Sequence, residues 1–219
     1  MARASQHCDA IVQTAARLFR KQGFAATGLN QIVEDSGAPK GSLYHYFPDG
    51  KEAIGAAAVA LANEAVKRTL STLAKEVSGP QELIRRYAAL LAGWMAKSDF
   101  KDGCPISTTL LETAPQCDGI RAAGEVAFGE WALIFSQALE AEQVPPARAG
   151  RLASMAIAAI EGSLVQARVA RQRQPVLDAA EEIAIAFGVA MEQAREVARP
   201  GPATSQAKRT LKAKRKGAA

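Results

Sequence analysis

Aromatic residues are scarce in this sequence, making up 5% of its 219 positions. That scarcity argues against a β-sandwich or barrel, whose strands draw on aromatic and β-branched residues. Val, Ile and Thr together number 32, against 47 alanines. Alanine loses no side-chain entropy in a helix while β-branched residues are stiff at χ1, so the ratio favours helix. The two histidines and three cysteines (Cys8, Cys104, Cys117) show no metal-like spacing. An odd cysteine count without a disulfide framework suits a reducing cytoplasm. No apolar run reaches the roughly 18 residues of a membrane span. The longest, residues 53–62, ends at Asn63, and the N-terminus carries Asp9, so neither a membrane anchor nor a signal peptide is expected.

Catalytic motifs are missing as well. There is no Gly-x-Ser-x-Gly, His-Glu-x-x-His or Gly-x-Gly-x-x-Gly, and Gly50-Lys51 lacks the earlier glycine of a phosphate-cradling loop. The reading is therefore not an enzyme, with no cofactor and no metal expected.

Charge is unevenly spread. The whole chain has a formal net charge of +5, but residues 199–219 hold seven Lys/Arg and no acid. Residues 1–51 carry six basic and four acidic groups, and residues 52–198 carry 14 and 18. A positive head, a negative middle and a basic tail point to an anionic partner at the N-terminal end.

Prolines at 39, 48, 80, 105, 115, 145, 146, 175, 200 and 202 mark helix boundaries, because proline breaks a helix interior. Between them the apolar spacing predicts helices over 5–22, 28–36, 39–46, 51–77, 81–97, 106–113, 120–142, 146–171 and 176–198. Thr27 is the expected N-cap of the second. The fold class is all-α. Residues 1–50 form a three-helix head, 51–198 a larger helical domain and 199–219 a disordered basic tail.

Two short helices joined at Gly37-Ala38 make a helix-turn-helix. Ile32, Val33 and Leu43 are expected to pack on Leu18 and Phe19, which leaves Lys40, Ser42, Tyr44, His45 and Tyr46 facing mostly outward. Such a surface suits phosphates and base edges. For Tyr44 a partly buried ring, and for His45 an ordinary surface imidazole, stand as the plainer readings.

The run Gly23-Phe24-Ala25-Ala26-Thr27, then Ile32-Val33, then Gly37-Ala38-Pro39-Lys40-Gly41-Ser42-Leu43-Tyr44-His45-Tyr46-Phe47 resembles the N-terminal domain of TetR-type transcriptional regulators. Pro39 stands where a capping Ser is more usual, which would make Ala38 the cap and Pro39 the first helical residue. That feature, the long Pro48-Asp49-Gly50 linker and Gly103-Cys104-Pro105 resemble the branch of lincomycin-resistance-type and flavonoid-responsive repressors. The resemblance implies a homodimeric repressor that binds a double-stranded DNA operator and is released by a small hydrophobic or aromatic effector.

The expected DNA-binding residues are Thr27, Gln31, Pro39, Lys40, Gly41, Ser42, Tyr44, His45, Tyr46 and Lys51, with Lys40 and Lys51 on phosphates. The expected dimer face takes Leu152, Met155, Ala159, Gly162, Ser163 and Leu164 from one helix and Ile183, Phe187 and Met191 from the next. An intramolecular core is the other reading of these stripes. The effector pocket is placed at Trp94, Met95, Cys104, Leu110, Leu111, Trp131 and Phe135, which can equally be simple core. Glu112 and Gln137 are read mainly as a solvated face. A sequence-tolerant architectural DNA binder, driven by the tail and without ligand response, is the alternative function. Oxidant sensing by Cys104 or Cys117 is a minor option, since nothing beside either residue lowers a thiol pKa.

Overall fold

The structure, a computed structural model, describes residues 2–198. The expected basic tail lies outside the described residues. Helices account for most of the described chain, in the order α1 (Ala2–Gln22), α2 (Leu29–Ser36), α3 (Lys40–Tyr46), α4 (Lys51–Glu76), α5 (Pro80–Lys97), α6 (Ser107–Thr113), α7 (Asp118–Ala141), α8 (Pro146–Ala170) and α9 (Gln174–Ala198). Among the described residues there is no strand.

Two helix starts differ from expectation for identifiable reasons. The Thr27 side chain turns inward and its hydroxyl donates to the Gly23 carbonyl at 2.7 Å, so extended Gly28 (φ −87°, ψ 151°) caps α2 instead. Pro39 (φ −58°, ψ 139°) is itself the cap of α3, and Lys40 is the first helical residue. Proline's fixed φ suits that position without requiring a helical ψ.

A first core joins Ile11, Ala15, Leu18 and Phe19 of α1 to Ile32 of α2, Leu43 of α3, Phe47, and Ile54 and Ala58 of α4. The same helix α4 then feeds a second core through Val59, Ala62, Val66, Leu70 and Leu73. One continuous 26-residue helix therefore belongs to both cores.

In the second core α4 packs on α7, α5 on α9, and α8 on both α7 and α9. Its middle is aromatic, with the Phe135 ring 6.5 Å from Tyr87 and 6.4 Å from Phe187. Full burial of a side chain such as Phe135 or Phe187 contributes about 1.5–3 kcal/mol. Trp131 is enclosed because its indole N–H has a partner, donating to Asn63 Oδ1 at 2.8 Å. Asn63 in turn donates to Glu130 at 2.6 Å.

Helix α8 is long and apolar enough to cross a membrane by length and composition alone, and 33% of its most apolar 18-residue window is buried. Met155, Val165 and Val169 lie exposed on this helix. The chain leaves an apolar face of α8 uncovered.

Candidate nucleic-acid interface

Helix α3 is short, and one buried residue, Leu43, anchors it. Tyr46, expected to face outward, packs back against the first core beside it, one helical turn from Leu43. Lys40, Gly41, Tyr44 and His45 are exposed, and Ser42 and Tyr46 are half-buried. The Tyr44 side chain is 63% exposed, so the plainer reading of a partly buried ring is set aside. His45 meets the Tyr46 ring edge-on at 5.0 Å. Pro39 is exposed at the head of the helix.

Gly41 is the informative position. A Cβ there would meet no other atom of the chain within 4 Å, so internal packing does not require a glycine. Glycine inside a helix costs about 1 kcal/mol relative to alanine. The glycine leaves open surface over this turn of α3.

Thr27 and Lys51 are placed otherwise than expected, and Gln31 is tied to a neighbour. Thr27 is fully buried and faces the chain's own backbone. Gln31 is half-buried and accepts from Gln22 Nε2 at 2.9 Å. Lys51 turns back onto its own domain: its ammonium lies 4.4 Å from the Phe24 ring centroid and donates to the Ala25 carbonyl at 3.4 Å. Burial pulls its pKa down, against the opposing pull of Glu112. The cause is local, because the first turn of α4 faces the loop between α1 and α2.

Residues 11–62 match the family described as bacterial regulatory proteins, tetR family, and residues 80–182 match the C-terminal domain of LmrA/YxaF-like transcriptional regulators. The chain belongs to the TetR family. It is similar to the uncharacterized HTH-type transcriptional regulator YxaF of Bacillus subtilis, with 34% identity over 81% of this chain and 93% of that protein. It is also 32% identical to the HTH-type transcriptional regulator LmrA of Bacillus subtilis, over 77% of this chain and 90% of the relative. The crystal structure of reduced Escherichia coli NemR shares the fold, with a TM-score of 0.72 at 23% identity over 81% of this chain and 94% of that one. This TetR-family chain is a DNA-binding transcriptional regulator, and α2 and α3 are its helix-turn-helix.

In the larger domain of this TetR-family chain, five of the seven residues expected to line a pocket meet in the packed core and two lie outside it. Met95, Cys104, Trp131 and Phe135 are buried, and Leu110 is half-buried. Trp94 is 46% exposed and Leu111 81% exposed. Each sits about 100° around its helix from the neighbour that meets the core, buried Met95 and half-buried Leu110, on a side that no other element covers here.

The expected dimer face needs a similar correction. Ser163, Leu164, Ile183, Phe187 and Met191 are buried within their own chain, and Leu152 and Ala159 are half-buried. Met155 and Gly162 are exposed. The most apolar stripes of α8 and α9 are taken by the chain's own core, and the faces left open carry Met155, Gly162, Val165 and Val169 with Ile185 and Val189.

Two polar positions carry more than the sequence suggested. Glu161 is the one acid in α8, and its partly buried side chain accepts from the Ser107 hydroxyl at 2.7 Å. Burial pushes its pKa up. Neighbouring Cys104 has its thiol pushed up to about 12, first by burial and then by Glu161. The thiol is thus held protonated, which weighs against oxidant sensing at this residue. Burial also raises the Cys117 thiol, with Glu52 adding to it. A lone acid in a helix whose other charges are all arginines was the available signal for Glu161. Glu112, the second position, lies on α6 and contacts the DNA-binding head.

Proposed function

We propose that this TetR-family regulator works in the cytoplasm as a homodimeric repressor that binds a double-stranded operator through α3 and leaves it when a small hydrophobic or aromatic effector binds the larger domain. The exposed surface of Lys40, Gly41, Tyr44 and His45 carries the DNA-binding part of this reading. One short recognition helix binds weakly, and two held about 34 Å apart read successive major grooves. The uncovered apolar faces of α8 and α9 support assembly through a two-fold axis. Exposed Gly162 has open space where a Cβ would stand, which favours close approach of a second helix there.

An effector that prefers mis-spaced recognition helices weakens operator binding by its coupling energy, typically about 1–3 kcal/mol. The test is a mobility shift on the DNA upstream of the protein's own gene and on a duplex enriched from random sequence, at two salt concentrations with unrelated competitor DNA. A competitor-resistant complex with dimer stoichiometry is expected. Loss of all binding to competitor in both duplexes would overturn the reading in favour of a sequence-tolerant binder.

A further inference from the structure

Glu112 crosses the boundary between the two cores. Its Oε1 accepts from the Phe24 backbone N–H at 3.1 Å and its Oε2 from the Ala25 N–H at 2.6 Å. Those amides lie in the loop between α1 and α2, directly ahead of the helix-turn-helix. Gly23, at φ +91°, presents its Cα to the same carboxylate, and a Cβ there would collide with Glu112 Oε1. A second bridge lies nearby, where Arg20 of α1 pairs with Asp102 at 3.0 Å in the loop before α6.

The other end of α6 is tied to the larger domain. Ser107, its first residue, donates to Glu161 of α8, and Thr108 donates to the Cys104 carbonyl at 3.0 Å. A seven-residue helix thus links a partly buried α8 carboxylate to the loop that leads into α2. A carboxylate accepting two backbone N–H bonds is a stiff, directional link, because charge-assisted bonds are about twice as strong as neutral ones.

We infer that Glu112 is a positioning residue for DNA reading: it fixes the α1–α2 loop to α6, so that the state of the Ser107–Glu161–Cys104 cluster and the pose of the helix-turn-helix change together. This rests on the proposed operator binding. Coupling between two sites is reciprocal, so DNA binding must be felt at the cluster as surely as the cluster is felt at the DNA. No effector is needed to test it.

The experiment measures alkylation of Cys104 by N-ethylmaleimide in the full chain, resolved from Cys8 and Cys117 by peptide mass spectrometry. It is run with and without a saturating duplex enriched from random sequence. In the wild type the duplex changes the Cys104 rate by about fivefold or more, the lower end of ordinary coupling. In Glu112→Ala that ratio collapses towards one at saturating duplex, and the Phe24 and Ala25 amides lose hydrogen-exchange protection. Glu112→Gln, which keeps the shape but halves the acceptor set, gives an intermediate ratio and serves if the alanine variant does not fold. An unchanged ratio in both variants, or a wild-type rate indifferent to bound duplex, overturns the inference and leaves operator binding standing. A wild type that enriches no sequence overturns the proposed function and this inference with it.

Discussion

Lys51 and Glu112 divide the backbone of Ala25 between them: the ammonium donates to its carbonyl at 3.4 Å while the carboxylate accepts its N–H at 2.6 Å. One charge comes from the first turn of α4 and the other from α6. The loop ahead of the helix-turn-helix is therefore held by both neighbouring elements, and Lys51 spends its charge inside the protein.

That placement separates two lysines that look alike in sequence. Each protein cation on a DNA phosphate adds close to one unit to the slope of log affinity against log salt. Lys40→Ala is expected to lower the slope by about 1. Lys51→Met is expected to weaken binding with the slope unchanged. Fluorescence anisotropy on one duplex across a salt series checks both, and a lowered slope for Lys51→Met would return that residue to the interface.

Gly41→Ala should move stability and function in opposite directions. Its exposed position has room for a methyl group, so the substitution is expected to stabilise the head by up to about 1 kcal/mol. The same methyl group intrudes on an approaching duplex and lowers operator affinity. Thermal unfolding and anisotropy on the same preparation give the two signs.

The face of α8 proposed for assembly can be tested against its neighbour in sequence. Val165 is 57% exposed and Leu164 is 6% exposed. Val165→Glu is expected to yield a folded monomer by sedimentation, with operator binding weakened. Leu164→Ala is expected to cost about 2–5 kcal/mol of stability with the assembly state retained at low temperature. The reverse pattern would restore the interface to the buried stripe.

Glu161 gives the pH dependence a definite sign. Its pKa in the folded chain is raised, chiefly by burial, so the folded state holds a proton that the unfolded chain releases near pH 4.3, the reference value of about 4.3 for glutamate. Stability from this group is full below that reference pH and falls as pH rises through the raised folded value. Glu161→Gln should flatten that fall, with its gain over wild type growing towards neutral pH. Thermal melts from pH 4 to pH 8 test this, and parallel curves for the two proteins would refute it.

The helices, their order and the exposure of Lys40, Tyr44 and His45 on α3 were legible because they follow from apolar spacing and from proline and glycine punctuation, whereas Tyr46, read as outward, packs back on the core. Leu43 as the inward anchor and Tyr44 as the exposed neighbour follow from helical period alone. The faces of α8 and α9 were not legible in the same way. Both sides of α8 are apolar, and which stripe is inside depends on what α7 and α9 supply, as with buried Leu164 beside exposed Val165. Lys51 and Thr27 were misplaced because their partners are backbone carbonyls, of Ala25 and Gly23, which leave no mark on side-chain pattern. Glu112 is exposed, as read, but its two amide partners, 87 and 88 residues away in the chain, leave no mark on side-chain pattern either.

Because α4 supplies both cores, the head is mounted on the first two turns of a rod whose remaining length lies in the larger domain. Its 26 residues, at 1.5 Å of rise each, span about 39 Å. Tilting such a rod by about 5° about its far end displaces the near end by about 3.4 Å, one base step along a DNA strand. A rearrangement too slight to break any helix is enough to carry a recognition helix out of register with its groove.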